Sequence, residues 1–245
     1  RITSAGRVGI NTSSPDTLLE IASSAPKLYI TNTSYTINNT DEYGSLDFVS
    51  EDGSFTKKPV ARIQAVNTGG AGSYSALAFH TSYGTGAVNT IERMRLDASG
   101  NLLVGTTDAL PYANNDASGI ALRADGNAQF SRSGAATARF NRGTSDGEIV
   151  SFGKDGTTVG SIGAAIGNAY FAGSSTGITF GSANVYPTNA SGTKSSGTLT
   201  LGSASNRFKD LHLGGTAYAG GLSVSAASGA AISAANTGTV ASVLM

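Results

Sequence analysis

A pattern of thirteen residues occurs twice in this chain without gaps, and it limits what the chain can fold into. Residues 1–13 and 95–107 share an arginine, an apolar residue, two or three small polar residues, a glycine and a short apolar run ending in threonine. A weaker third copy occupies residues 122–130. Because glycine adopts positive φ at little cost, each copy is predicted to form two short strands around a tight turn. The turns are centred on Gly6-Arg7, Gly100-Asn101 and Gly126-Asn127.

A unit this small cannot bury a hydrophobic face alone, so it must stack on neighbouring units or on other chains. The composition fits an elongated β protein: the chain has 33 glycines, 13% charged residues and no tryptophan or cysteine. Its hydrophobic fraction of 39% leaves little for a single isolated core. Disorder would need low hydrophobicity together with high net charge. Here 16 basic residues balance 16 acidic ones and short apolar runs recur, so β structure is favoured.

Composition also excludes several function classes. Nucleic-acid binding needs a basic surplus that this balanced chain lacks. No stretch approaches 18 apolar residues, so membrane insertion is not expected. The absence of cysteine excludes a disulfide framework and thiolate metal sites. Since the chain begins with Arg1 within a repeat and has no initiator methionine, we expect it to be an internal piece of a longer polypeptide.

Periodicity divides the chain into shafts and β-rich blocks. Alternation at Leu46/Phe48 and Leu77/Phe79 is typical of half-buried strands. Expected strands cover residues 27–31, 44–50, 60–66, 74–80 and 91–96, then 138–141, 148–152, 157–162, 169–171 and 177–180. The expected segments are a β-repeat shaft at 1–27, a compact β domain at 28–96, a repeat-like shaft at 97–136, a second β-rich block at 137–197 and a C-terminal block with a neck at 198–245. Residues 14–21 are compatible with a short helix or a strand, 187–197 with a loop, and 206–211 with one helical turn.

Four stretches of the sequence, in this order and spacing, resemble bacteriophage tail-fibre and virion-appendage proteins. They are residues 6–15, 94–107, 140–152 followed by 159–163, and 201–215. The similarity is greatest to fibres whose precursors carry a C-terminal endosialidase-type intramolecular chaperone. It covers about half of the chain and leaves out residues 28–90. The resemblance implies an elongated all-β homotrimer of triple β-helix or β-prism type on the virion, serving host-cell attachment.

The trimer also has a physical basis. Strands with alanine and glycine at inward positions can pack closely round a threefold axis, and exposed sheet edges then become pairing partners. The resemblance further implies that a self-removing chaperone domain follows Met245. The Ala/Ser-rich end is expected to form a threefold neck in which Val240, Val243 and Leu244 meet.

Tyrosines in the divergent 28–96 block are the candidate receptor contacts. Tyrosine stacks on sugars while its hydroxyl stays hydrated, although core packing is an equal alternative for each residue. The candidates are Tyr35, Tyr43, Tyr74 and Tyr83, in or near loops of this block.

Arginines beside apolar strands are candidates for interchain salt bridges, because guanidinium binds carboxylate bidentately. The predicted structural set is Arg95, Asp97, Arg123, Asp125, Arg207 and Asp210, with Arg139, Arg142 and Asp146 as further members. Ligand binding is the less favoured alternative for these arginines.

Catalytic and metal motifs are weak. Gly173-Ser174-Ser175-Thr176-Gly177 fits a nucleophile elbow, which needs a strand–turn–helix that this Gly/Ser-rich region does not predict. A glycosidase pair drawn from Asp41, Glu42, Asp47, Glu51 and Asp52 would lack the tryptophan usual in sugar-cleaving grooves. His80 and His212 are the only histidines, and two ligands are too few for a zinc site. Calcium needs six or more oxygen ligands, which neither Asp52-Gly53-Ser54 nor Asp155-Gly156-Thr157 offers alone. We expect no catalytic residue, cofactor or metal.

The sequence therefore predicts a non-enzymatic phage fibre segment that binds a host surface glycan or outer-membrane protein. Its expected partners are two further copies of itself, other virion tail proteins and the host receptor, with no nucleic acid and no membrane insertion. Two alternatives stay open: a purely structural connector whose receptor tip lies elsewhere, and a polysaccharide-degrading tailspike.

Overall fold

The computed structural model describes residues 2–34, 36–50, 58–69, 74–82, 90–114, 117–197, 199–209 and 211–214. These residues form an all-β protein, as predicted, with no α-helix in the described ranges. The strands are β1 (Val8–Ile10), β2 (Leu19–Ile21), β3 (Glu42–Ser50), β4 (Lys58–Asn67), β5 (Ser75–Ser82), β6 (Thr90–Leu96), β7 (Leu102–Val104), β8 (Gly119–Leu122), β9 (Ala128–Ser131), β10 (Gly147–Lys154), β11 (Thr157–Ala165), β12 (Asn168–Gly173), β13 (Thr176–Phe180) and β14 (Val185–Asn189). One 3-10 helix spans Pro111–Ala113.

The chain divides into two compact units between Asn141 and Arg142. In the first unit, β3 to β9 form a seven-stranded antiparallel sheet in which every strand pairs with its sequence neighbours. We call it the first sheet. It continues through residue 96, where the sequence analysis placed a boundary between segments. Strands β1 and β2 form a separate parallel pair in the same unit.

The three repeats fold as three hairpins with one geometry, as predicted, but each turn is centred on the two residues before its glycine and not on the predicted pairs Gly6-Arg7, Gly100-Asn101 and Gly126-Asn127. The first hairpin pairs Ile2 with Val8, the second Leu96 with Leu102 and the third Leu122 with Ala128. In each, the turn glycine has a positive φ of 72°, 81° or 85°. The glycine N–H donates to the carbonyl oxygen three residues earlier at 3.0 Å in all three turns. Repetition of the sequence pattern therefore repeats the backbone structure.

In the second unit, β10 to β14 form the second sheet, a five-stranded antiparallel meander. Strands β10 and β11 meet at a two-residue turn, where Asp155 and Gly156 have φ of 50° and 77°. Positive φ at both central residues is the geometry that matches the right-handed twist of a hairpin. The pair Asp-Gly therefore specifies this connection.

Most of the expected strands are present, with two exceptions. Residues 27–31 form no strand; instead the Asn32 side chain donates to the Glu42 carbonyl at 2.6 Å and Ile30 packs over Gly44. Residues 138–141 also form no strand, and no helix lies in the described part of 206–211. Residues 14–21 end in β2. Strand β14 extends into residues 187–197, which were expected to form a loop; an edge strand tolerates Pro187.

Candidate interaction surfaces

One face of the first sheet is apolar from edge to edge and largely open; Leu28 and Ile30 cover part of it near strand β3. Paired residues share a face, so the strand register gives its composition directly. One row runs Leu46, Ile63, Phe79, Met94, Val104, Ile120 and Phe130, and the adjacent row Gly44, Ala65, Leu77, Leu96, Leu102, Leu122 and Ala128. Neither row contains a charged side chain. Leu46, Leu96 and Phe130 remain 52%, 46% and 43% exposed.

The size of this apolar face follows from strand geometry. Strands lie about 4.8 Å apart and alternate residues about 6.8 Å apart, so the two rows cover roughly 400 Å². The largest apolar patch on a typical soluble monomer measures roughly 300–600 Å² and is often an interaction site. The apolar face of the first sheet is therefore the surface in this unit that most needs a partner.

The opposite face of the first sheet is partly covered by the chain itself. Ala78, Leu103 and Ala121 lie in one row on it and are fully buried. The segment between β7 and β8 folds over strands β8 and β9, which its 3-10 helix contacts. Arg123 Nη1 and Ser131 Oγ donate to carbonyl oxygens of this segment at 3.4 Å and 2.7 Å. This unit thus buries one face of its sheet and leaves the other open.

The second sheet has the same one-sided burial. Its open face carries the row Val150, Ile162, Phe171, Ile178 and Pro187 and the adjacent row Ala164, Ala169, Phe180 and Val185. Phe180 and Val185 are 50% and 62% exposed. Phe152 packs edge-on against Phe171, with ring centroids 6.2 Å apart. Strand spacing gives this apolar face of the second sheet roughly 300 Å².

The opposite face of the second sheet is closed by the turn that follows β14. Tyr170 and Thr179 are buried there beside Ala172. Gly192, with φ of +81°, lies directly against the Tyr170 ring, and Thr179 Oγ1 donates to its carbonyl at 3.3 Å. A side chain at Gly192 would collide with that ring. The turn therefore covers uncharged side chains, namely Tyr170, Ala172 and Thr179.

Charged groups concentrate on the covered side of the first sheet, where Asp47, Arg62, His80 and Glu92 are consecutive cross-strand partners. Arg62 binds both oxygens of Asp47, at 2.7 Å and 2.8 Å, and these bonds lower the pKa of that carboxyl group. Burial lowers the pKa of His80, whose Nε2 is buried and has no hydrogen-bond partner among the described residues.

The predicted arginine–aspartate set has partners within the chain. Arg95 binds Glu92 bidentately at 2.5 Å and 2.6 Å, while the Asp97 carboxylate accepts the N–H groups of Ser99 and Asn101 at 2.9 Å and 2.8 Å. The hydrogen bond to Glu92 raises the pKa of Arg95.

The other two arginines of the set contact nearby residues of their own chain. Arg123 lies 3.0 Å from Asp125, and Arg207 Nε donates to the Ala204 carbonyl at 3.0 Å. Asp210 lies outside the described residues. Interchain pairing of these groups stays a prediction.

Two of the four predicted receptor tyrosines are in the described ranges. Tyr74 is 60% exposed at the start of β5, with its ring against Gly69. Tyr43 is half-buried and lines a hollow of 310 Å³ on the apolar face, together with Leu28 and Ile30. Tyr35 and Tyr83 lie outside the described residues. The location of Tyr43 associates it with the apolar face, and that of Tyr74 with solvent.

A more exposed tyrosine lies outside the predicted set. Tyr112 is 67% exposed on the 3-10 helix, next to the fully buried Pro111. The Asp108 carboxylate braces this turn by accepting the Leu110 N–H at 2.8 Å and the Asn114 side chain. The Leu110 N–H bond lowers the pKa of Asp108. The sequence carries a signal for this turn: proline at the first helical position, three residues after Asp108, favours it.

The possible catalytic and metal motifs occupy turns and ion pairs. Ser174 and Ser175 form the turn between the antiparallel strands β12 and β13, which is not the strand–turn–helix of a nucleophile elbow. Glu42 and Asp47 both contact Arg62, at 3.5 Å and 2.7 Å. Glu51 and the Asp52 loop lie outside the described residues.

Within the described ranges, no three His, Cys, Asp or Glu residues group as metal ligands would. No helix in those ranges has the length and apolar character needed to cross a membrane. No protein-family model matches the chain, and no curated protein sequence is significantly similar to it.

Proposed function

We propose that this chain is a segment of a homotrimeric β fibre, of triple β-helix or β-prism type, which attaches a bacteriophage particle to its host cell. The observation that carries the assembly is that both sheets leave one wide apolar face largely uncovered. The phage setting rests on the four sequence stretches that resemble tail-fibre and virion-appendage proteins. In this proposal the segment is not an enzyme, and it binds a surface saccharide or protein.

Identical copies are the occupants that best fit the apolar faces. Two sheets of different size in one chain present the same kind of surface, and a homo-oligomer covers both at once. Together the faces amount to roughly 700 Å², close to the ~800 Å² per partner of a standard protein interface. A separate partner protein would need two apolar surfaces matched to two unlike sheets.

Tyr74 and Tyr112 support the attachment role. Both are large aromatic side chains exposed by more than half; the Tyr74 carbonyl accepts the Thr68 N–H at 3.0 Å, and Tyr112 lies in the 3-10 helix. An exposed tyrosine on a rigid support loses little entropy when it stacks on a sugar ring or packs against a protein. We propose these two residues as the first receptor contacts to test.

Sedimentation equilibrium of the protein expressed from its complete coding sequence tests the assembly. The expected result is a single species of three chains at micromolar concentration. A folded monomer or a dimer under these conditions would overturn the trimer.

Competition for phage adsorption tests attachment. Purified trimer is expected to block adsorption to host cells, and Tyr112→Ala and Tyr74→Ala are each expected to weaken this block about tenfold, by loss of ~1–2 kcal/mol of stacking. Tyr112→Phe, which keeps the ring, is the matched control and should retain most of the effect. An intact trimer that does not compete for adsorption would favour the alternative of a purely structural connector. Release of reducing sugar from host polysaccharide would refute the non-enzymatic assignment.

A further inference from the structure

Two of the repeat hairpins lie side by side in the first sheet and define how one hairpin docks on another. Asn101, in the turn of the second hairpin, is 6% exposed and accepts the Ala124 N–H of the third hairpin on its Oδ1 at 3.1 Å. Ala124 Cβ lies 3.4 Å from the position that a Cβ on Gly100 would occupy. The turn of the third hairpin therefore covers the turn of the second.

The third hairpin presents the same docking position without an occupant. Asn127 takes the place that Asn101 has in the second hairpin, is exposed, and its side chain has no hydrogen-bond partner among the described residues. No atom lies within 4 Å of the position for a Cβ on Gly126. Strand β9, which follows this turn, is the last strand of the first sheet. The third hairpin thus combines a hydrogen-bond acceptor, Asn127 Oδ1, with an open turn and with β9 as an edge strand.

The first hairpin has the complementary features. Ser4 corresponds to Ala124, and its main-chain N–H has no acceptor among the described residues. Arg7 stands where the other two hairpins have asparagine, so this hairpin has no side-chain amide to accept a further neighbour. It is suited to dock on another hairpin and not to receive one. No described strand pairs with the outer side of Ile2.

We propose that the first hairpin of one copy docks on the third hairpin of the next copy. In this contact Ser4 N–H donates to Asn127 Oδ1, and Ile2 lies beside Ala128 as Leu122 lies beside Leu102. The inference rests on the proposed trimer and specifies its symmetry: the contact is heterologous, and a heterologous contact that repeats round a threefold axis closes after three chains. A second copy is the fitting donor because the chain's own first hairpin is bonded to β2 and does not pair with β9.

Cross-linking tests the contact directly, because the chain contains no cysteine. The double variant Ser4→Cys/Asn127→Cys, made in the protein from its complete coding sequence, is treated with a short bifunctional thiol reagent. The expected products are covalent dimers and closed trimers on a denaturing gel. The matched control is Ser4→Cys/Ser99→Cys, since Ser99 lies in the turn of the second hairpin, whose docking position is already occupied. Product at the monomer mass, or cross-linking no greater than in the control, overturns the inference.

A milder substitution measures the strength of the contact. Asn127→Ala removes three equivalent hydrogen bonds from the trimer, and we expect its dissociation constant to rise roughly 100-fold. Asn39→Ala is the matched control, because Asn39 is an exposed turn residue of the same unit and its side chain has no partner among the described residues. Equal effects of the two variants would reject the contact. A trimer by sedimentation without the cross-link would reject this inference alone, whereas absence of any trimer would reject the proposed function as well.

Discussion

The first and second sheets reach the same one-sided burial with different chemistry. In the first sheet, the segment between β7 and β8 closes over one face, and in the second a turn beyond β14 does so. Charged side chains line part of the covered side of the first sheet, where Arg62 and Arg95 are fixed by carboxylates. The second sheet buries neutral groups instead, chiefly Tyr170 and Thr179. The two units cover one face of their sheets with different side chains, but both leave an apolar face open.

The covered face and the open face of each sheet have different roles. The covered faces hold each unit together, while the open faces are available for association. Substitutions on an open face should therefore weaken assembly more than folding, and those on a covered face should do the reverse.

The largest effect is expected from a charge on an open face. Leu77→Asp in the first sheet and Phe171→Asp in the second would each bury an unpaired carboxylate between copies. At ~3–5 kcal/mol per buried unpaired charge and three charges per trimer, the trimer dissociation constant should rise by more than about 10⁶-fold, so no trimer is expected at micromolar concentration. Sedimentation equilibrium measures it. Leu110→Asp is the matched control, because Leu110 and Leu77 are both 42% exposed and Leu110 lies outside the apolar face. If Leu110→Asp dissociates the trimer equally, the open faces have no special role.

Removal of a covered leucine should come next in size. Leu103 is fully buried, so Leu103→Ala is expected to lower the free energy of unfolding by about 2–5 kcal/mol through lost burial and a residual cavity. Leu122→Ala, at a 42% exposed position of the open face, should cost the first unit much less when measured in dissociated protein. Urea unfolding followed by circular dichroism gives both values. Similar losses for the two would remove the distinction between covered and open faces.

Close packing in the second sheet predicts an intermediate effect. A Cβ on Gly163 would overlap the Gly147 carbonyl oxygen and the Tyr170 hydroxyl, whereas a Cβ on Gly153 would lie 3.7 Å from the Thr157 carbonyl. Gly163→Ala should therefore destabilise the protein by about 1–3 kcal/mol through overpacking. Gly153→Ala should change stability by less than about 0.5 kcal/mol, because its site has room. Thermal unfolding of the pair measures the difference, and equal midpoints would contradict tight packing beneath the Gly192 turn.

Much of the strand pattern could be predicted from the sequence, because it depends on local alternation and turn residues. Leu46/Phe48 and Leu77/Phe79 identified β3 and β5, and the repeated glycine turns identified two hairpins of the first sheet. The same alternation gave no information on whether the apolar side would be covered. That depends on where the segment between β7 and β8 folds, which is set by contacts distant in sequence.

The Arg95 partner was also beyond sequence reasoning. Residues three apart on a regular strand point to opposite faces, so Glu92 was not a candidate for Arg95. A β-bulge opposite the Phe79/His80 step inserts Arg93 into β6 as an extra residue, and this brings Glu92 and Arg95 to one face. Bulges have weak local signals because they arise from the register of two strands. A similar shift at Glu42/Gly44 places Tyr43 beside the apolar hollow.

The smallest expected effect is a pH dependence of stability, which we expect from the charged covered side of the first sheet. Burial lowers the pKa of His80 below its ordinary 6.5, so the folded state disfavours the protonated ring. Stability from this group is complete above pH 6.5 and declines as the pH falls, because the unfolded chain then binds a proton that the folded chain resists. Asp47, whose pKa is lowered by Arg62, adds a loss only at pH below about 3.8. Arg62, Arg95, Glu92 and Glu42 all act on His80, with the two carboxylates opposing the two cations.

Urea unfolding at pH 7 and pH 5 isolates the histidine, since this window lies above the carboxylate range. Wild-type protein should be less stable at pH 5, and His80→Gln should lose most of that difference because glutamine does not titrate. His212→Gln is the matched control; His212 is exposed in the second unit, so its replacement should leave the difference intact. If the His80 variant keeps the full pH dependence, the charged side of the first sheet does not respond to acid through this residue. The covered faces of the two sheets would then differ in composition but not in their response to pH.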